Sequence, residues 1–269
     1  MKASLVAITQ PLIEGIKTPE ELMVYCARVS SPNNQHNTET APNLLRYCLK
    51  KGHWSVFEQV DMTLEIETSR AIAAQLLRHK SFSFQEFSLR YAASSCQFEP
   101  VEIRFKGTSN RQGSRVAETE HEKVKEWCFS GAMVQHFEES KRLYDHLIKE
   151  GVAPEVARTV LPLNLTTRLY MKGSVRSWIH YLQVRCEEDT QKEHRDLANE
   201  IKRIFVEQFP IIGEALYVDK KYEGSIKELH DMLKDAMSVL SCLSSDVCLD
   251  TKLVDESTEL LNRMKPWQP

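Results

Sequence analysis

The chain reads as an α/β (α+β) protein with helices interspersed among strands, and three stretches carry that expectation. In VDMTLEIE, residues 60–67, Val60, Met62, Leu64 and Ile66 alternate with Asp61, Thr63, Glu65 and Glu67, the period of a strand with one buried face. Thr18-Pro19-Glu20-Glu21 joins an N-cap threonine, a proline at the first helical position and a capping-box glutamate, which together mark a helix start. Far downstream, LTTRLYM is rich in threonine and suits a second strand.

Taken in order, the first helix should run over 18–30 and a second over 41–51, ended by Gly52. The alternating strand comes next, then a helix over 69–80 and another strand over 98–105. KGTSNRQGSR, from Lys106 to Arg115, is polar and contains glycine, so it reads as an exposed loop of the kind that covers pockets. Residues 116–150 form a long, charged amphipathic helix, with Gly131 a point of interruption and Gly151 its stop. EVARTVLPLN gives a short helix ended by Pro162; Ser174 caps a helix to Cys186. Thr190 and Glu193 form a second capping box for a helix to Gln208, before Pro210, and a helical, charged tail follows over 220–269.

At 269 residues with 42% hydrophobic content, the chain has ample material for one large or two modest cores. The opening, MKASLVAITQPLIEG, has an apolar run broken by Thr9, Gln10 and Pro11, and no apolar stretch approaches membrane-spanning length, so a cytoplasmic protein without a signal peptide is expected. Seven cysteines without a Cys-x-x-Cys pair fit free thiols better than zinc or redox work. With 35 basic against 38 acidic residues there is no global field for duplex DNA, while small anionic ligands remain open.

Against that balance, QLLRHKSFSFQEFSLRY, from Gln75 to Tyr91, gathers Arg78, His79, Lys80 and Arg90 around one acid, Glu86. On a helix Gln75, Arg78 and His79 share a face, and guanidinium forks match phosphate oxygens bidentately, so the stretch points to an anionic ligand. Ser88 beside Arg90 suits phosphate hydrogen bonding. Arg176, His180 and Gln183 line one face of a later helix, and Arg158 and Arg185 lie at helix ends. Metal binding is not expected: His53, His79 and His180 lack paired ligand spacing and have cationic neighbours. Neither a Gly-x-Ser-x-Gly elbow nor a phosphate-cradling glycine loop occurs. Phe82, Phe84 and Phe87 suit packing; as stacking platforms they would give the alternative, a non-catalytic nucleotide or single-stranded nucleic-acid binding module.

RHK followed by seven residues and Ser88 resembles the signature Arg-His-Arg, seven residues, Ser of the flavin-dependent thymidylate synthases. CARVS around Ser30, GHWSVFE from Gly52, QLLRH, QEFSLRY, EVARTVLPLN and YLQVR recur in that family's order and at similar spacing, covering the chain to Tyr217. Two positions depart: Lys80 where the signature has arginine, and Gln85 where asparagine is usual.

The resemblance implies a central twisted, mainly antiparallel sheet flanked by helices, a catalytic domain over 1–219, and a homotetramer with active sites shared between subunits. It implies FAD as cofactor, NADPH as reductant, and methylene-tetrahydrofolate and dUMP as substrates, yielding dTMP. Residue by residue, it places Gln75, Arg78, Glu86, Phe87, Ser88, Leu89, Arg90, Arg158 and Arg185 on dUMP. It puts Ser30, Ser55, Glu58, Arg78, His79, Lys80, Ser174, Arg176 and His180 on FAD, and His53 and Tyr91 near the folate. Arg185, Ser88 and His53 form the expected catalytic set. No Pro-Cys-His segment offers a cysteine to add at C6 of uracil, so a guanidinium such as Arg185 would polarise the pyrimidine electrostatically.

Overall fold

In the computed structural model, which describes residues 1–90, 97–107 and 113–218, the chain opens on a strand, β1 (Lys2–Ile8), that the sequence pattern does not announce. Helix α1 (Pro19–Ala27) follows, with Thr18 and Glu21 closing the expected capping box. Helix α2 (Ala41–Lys51) ends at Gly52, whose φ of 69° is the left-handed conformation that glycine adopts without a Cβ penalty. A 3₁₀ turn, Trp54–Glu58, then delivers the chain into β2 (Asp61–Ser69). Met62, Leu64 and Ile66 are all fully buried, as their alternation requires.

The expected helix over 69–80 is shorter, α3 (Arg70–Leu76), started by the Ser69 hydroxyl accepting from the Ile72 amide. Beyond it the chain leaves the helix through tight turns, His79 N–H to the Leu76 carbonyl at 2.9 Å and Phe82 N–H to that of His79 at 3.2 Å. Tertiary packing explains the early stop: Phe82 is drawn against Trp178, ring centroids 4.7 Å apart. The next residues form β3 (Ser83–Glu86), a strand absent from the sequence expectation, because a four-residue edge segment owes its existence to its partner strand.

Residues 98–105 do not form the expected strand. Phe98 makes a single bridge to Leu165, and Pro100 has no N–H with which to extend a ladder. The expected loop over 106–115 begins and ends in a small hairpin, β4 (Phe105–Lys106) with β5 (Ser114–Arg115). Helix α4 (Glu120–Lys149) runs unbroken through Gly131 and stops before Gly151, φ 82°. After α5 (Pro154–Ala157) and a 3₁₀ turn, Arg158–Val160, comes β6 (Thr166–Ser174).

Ser174 caps α6 (Val175–Arg185) as expected, its hydroxyl accepting from the Ser177 amide. The capping box expected at Thr190 does not form: Thr190 donates instead to the Val184 carbonyl, and α7 (Lys192–Gln208) starts at Gln191 without a side-chain cap. Helix α8 (Pro210–Gly213) and a π turn, Glu214–Val218, close the described chain. Buried Glu20 of α1 accepts from the amides of Ile211 and Ile212 and ties α8 down. The chain divides into two compact units, Met1–Glu214 and Ala215–Pro269, and the expected tail over 220–269 lies outside the described residues. No helix among the described residues is long and apolar enough to cross a membrane.

Apart from the β4–β5 hairpin, the strands form one antiparallel sheet in the order β1-β2-β6-β3, with β2 and β6 paired along their whole length from Asp61↔Ser174 to Ser69↔Thr166. On its buried side Leu64 pairs with Met171 and Ile66 with Leu169, and the apolar faces of α6 and α7 complete the core around Trp178, Tyr181, Ile201 and Phe205. The other side is polar: Tyr170 donates to Glu65 at 2.7 Å, and Lys172 pairs with Asp61.

Gly173 in β6 sits directly against the Phe82 ring, where an added Cβ would stand 2.5 Å from a ring carbon. Gly173→Ala should therefore cost ~1–3 kcal/mol by overpacking, measured by chemical denaturation. Combined with Phe82→Leu, the loss should be smaller than the sum of the two single losses; additive losses would show that the ring contact is not the cause.

Candidate active site

Two helices that start on capping serines end at the same place. Gln75 lies in the last turn of α3, Arg78 and His79 in the turn beyond it, and Arg185 is the final residue of α6. The Arg185 Nε–H donates to His79 Nε2 at 3.1 Å, and the imidazole lies edge-on to Tyr181, 5.1 Å between centroids. Beside this contact is a cleft of about 740 Å³ whose lining includes Gln75, Arg104, Ser114, Arg185, Asp189 and Gln191. That volume is in the range of small-molecule sites.

Burial, reinforced by Arg185, His180 and Arg78, holds the His79 imidazole down to about 4. His79 is thus neutral near pH 7, accepts through Nε2 and carries its proton on Nδ1. A neutral acceptor orients the guanidinium without cancelling its charge. No carboxylate among the described residues pairs with Arg78, Lys80 or Arg185, so the positive charge gathered here is available to an anion.

The remaining expected residues form two further groups. Arg176 of α6 reaches Glu58 at 3.0 Å, and it shares an exposed face with His180 and Gln183; Ser55 and His53 are exposed on the turn that carries Glu58. His53 packs edge-on against Tyr47. Ser30 is exposed beyond α1, in a loop pinned by buried Arg28, whose guanidinium donates to the carbonyls of Asn34 and Asn37 and to the Thr40 hydroxyl. Ser174, by contrast, is buried, and its hydroxyl is occupied as the α6 cap.

In the third group, Arg90 pairs with the Glu155 carboxylate at 3.4 Å while Arg158 donates to the Glu155 carbonyl. Arg158 therefore reaches the neighbourhood of Arg90 within one protomer. Ser88 accepts from the Arg90 amide. The carboxylate of Glu86 accepts from Arg70 and Thr167, and the Phe87 carbonyl from Arg70. Leu89 is buried with Tyr144, Ala157 and Leu165, so its side chain serves packing and only its backbone could meet a ligand. Phe82 is likewise packed, against Trp178, and unavailable for base stacking. Tyr91 lies outside the described residues.

Sequence reasoning missed Arg104, Tyr181, Gln191 and His194, which form the wall behind Gln75. No spacing links them; Gln75 and His194 are 119 residues apart and meet at 3.1 Å.

With this geometry in view, comparison with known proteins is decisive for the family. The model of the family described as thymidylate synthase complementing protein matches residues 11–211, and the chain belongs to that family. It is 50% identical over 219 residues to a flavin-dependent thymidylate synthase of Synechocystis, covering 80% of this chain and 99% of the relative. It is 31% identical over 204 residues to one of Thermotoga neapolitana, covering 76% and 88%. Among solved structures, a UMP/dUMP methylase PolB from Streptomyces cacaoi bound with 5-Br dUMP shares the fold, with a TM-score of 0.67 and 23% identity over 81% of this chain and 94% of that one.

Burial holds His79 and His194 both down to about 4, against an ordinary 6.5. The unfolded imidazoles take up protons near 6.5 and the folded ones only near 4, so folding stability should fall as pH is lowered through that window. His79→Gln keeps an acceptor for Arg185 and removes one titrating group. Its unfolding free energy should decline less steeply between pH 6.5 and 4 than the parent's, and equal slopes would rule the linkage out.

Proposed function

We propose that this chain reductively methylates dUMP to dTMP, with FAD as cofactor, NADPH as reductant and methylene-tetrahydrofolate as one-carbon donor. We further propose that it works as a cytoplasmic homotetramer with active sites shared between subunits. The observation that carries the reading is the Arg185 guanidinium, oriented by neutral His79 beside a cleft whose lining, among the described residues, contains no cysteine. Cys186, next in sequence, is no substitute: burial pushes its thiol up from 9.0, away from the thiolate a nucleophile needs.

Activation of uracil at C5 then falls to electrostatics. Arg185 spends only Nε on His79, leaving its terminal N–H groups to stabilise enolate charge developing at the uracil carbonyl edge. Gln75 and Arg78 stand at the same helix end, and Arg90 with Ser88 offers donors to phosphate oxygens; Arg158 shares Glu155 with Arg90. Exposed Arg78, Lys80, Arg176 and His180 suit the anionic portions of FAD, with Ser30, Ser55 and Glu58 at exposed loop and turn positions able to accept or donate. Ser174 does not fit that role through its side chain, which the helix cap occupies. FAD, when bound, supplies the hydride and one-carbon chemistry. His53 serves the folate side.

An anaerobic assay for dTMP with FAD, dUMP, methylene-tetrahydrofolate and NADPH, each omitted in turn, tests the reading. All four should be required; dTMP formed without flavin, or none from the complete mixture, overturns it. Arg185→Ala should keep bound flavin yet lose about 10²–10³ in turnover, and turnover within tenfold of the parent excludes its role. Lys80→Arg restores a planar fork and should hold flavin as tightly or more so. A clear drop in flavin absorbance per protomer for that variant would mean that the turn after α3 meets FAD differently.

A further inference from the structure

Behind Gln75 a line of hydrogen bonds, exposed at Gln191 and buried at His194, has every donor and acceptor specified by its neighbours. It starts from an ion pair, Arg104 to Glu193 at 2.5 Å, with the Arg104 side chain only 12% exposed. Burial pushes the Glu193 carboxyl up, but hydrogen bonds from Gln191 and Arg104 outweigh it and hold the group below 4.5. An ionised carboxylate only accepts. The Gln191 side-chain NH₂ must therefore face Glu193, 2.9 Å away, which turns the Gln191 carbonyl oxygen toward Gln75. That oxygen takes an N–H of Gln75 at 2.7 Å, so the Gln75 carbonyl oxygen points to His194 Nδ1 at 3.1 Å. Nδ1 must donate. His194 is fully buried, and its Nε2 meets the Tyr181 hydroxyl at 3.2 Å. In the neutral ring Nε2 accepts, and Tyr181 donates.

We infer that His194 is a positioning residue: with Arg104–Glu193 at the other end of the relay, it locks the Gln75 amide so that the cleft is offered an N–H donor and never a carbonyl. One N–H of Gln75 remains outside the relay, matched to an oxygen acceptor of the ligand, whether phosphate or uracil carbonyl. The assignment of that ligand as dUMP rests on the function proposed above; the polarity of the relay does not.

The test is calorimetric titration of the full-length protein with dUMP, without folate or reductant. His194→Leu should weaken dUMP about tenfold, the scale of one lost hydrogen bond to a charged or polar partner. His194→Asn, whose NH₂ stands in for the Nδ1 donor, should recover most of the affinity. In a Gln75→Ala background His194→Leu should add nothing further. Affinity of His194→Leu within twofold of the parent, or an undiminished effect without Gln75, overturns the inference. Should His194→Leu fail to fold, Tyr181→Phe removes a single oxygen from the relay and should weaken dUMP severalfold; unchanged affinity counts against it. Nitrogen NMR of histidine-labelled protein provides a readout independent of dUMP: His194 should be the neutral Nδ1–H tautomer at pH 7, and the Nε2–H tautomer sinks the relay. A parent protein with the expected tautomer that binds no dUMP would count against the proposed activity while upholding the relay.

Discussion

The full-length pairing of β2 with β6 is the constraint on which the rest depends. Each strand ends in a serine, Ser69 or Ser174, whose hydroxyl starts the following helix, so the register of one ladder sets where both helices begin. Helix α3 then has seven residues and α6 eleven, and their far ends meet as Gln75, His79 and Arg185. A one-residue slip would turn Met62, Leu64 and Ile66 to the polar side of the sheet and move both caps, which is why burial makes this register so strongly determined. The same β6 holds β3 on its other edge, and Gly173 leaves room for the Phe82 ring that pulls the cationic turn out of helix.

Electrostatically the site avoids a conflict that a cluster of cations would normally create. Burial, with Arg185 close by, keeps His79 and His194 both neutral. A protonated imidazole would add to the repulsion; a neutral one accepts a hydrogen bond from Arg185 and fixes its direction. Of the carboxylates in this region, Glu193 and Glu155 are held by Arg104 and Arg90, while Glu187 and Asp189 also line the cleft. Arg185 keeps its charge in a defined direction, which is what recognition of a nucleotide anion asks for.

Much of this was legible in the chain alone. The alternation in β2, the capping box of α1, the Gly52 stop of α2 and the Ser174 cap are local matters, decided within a few residues by side-chain period and hydrogen-bonding chemistry. The cationic stretch was legible too, because its residues are close in sequence and their family order is shared. By contrast β1, β3 and the early end of α3 depend on partners far along the chain. Thr190 and Glu193 carry a local capping pattern that does not form: Thr190 turns back to the Val184 carbonyl, and Glu193 takes distant Arg104, since a carboxylate gains more from a buried guanidinium than from a backbone amide.

By itself, then, the sequence determined which segments become helix or strand wherever period and caps agree, and it gathered Arg78, His79, Lys80 and Arg90 into one short stretch. The tertiary structure decided which of those side chains meet. It set Arg185 on His79, placed Arg158 near Arg90 in the same protomer, withdrew Ser174 and Leu89 into packing, and built the relay from Arg104 to Tyr181 behind Gln75. The reason is physical: helix and strand preferences act over a few residues, whereas hydrogen-bond partners across 106 or 119 positions are chosen only when the sheet and its buried face bring them within about 3 Å.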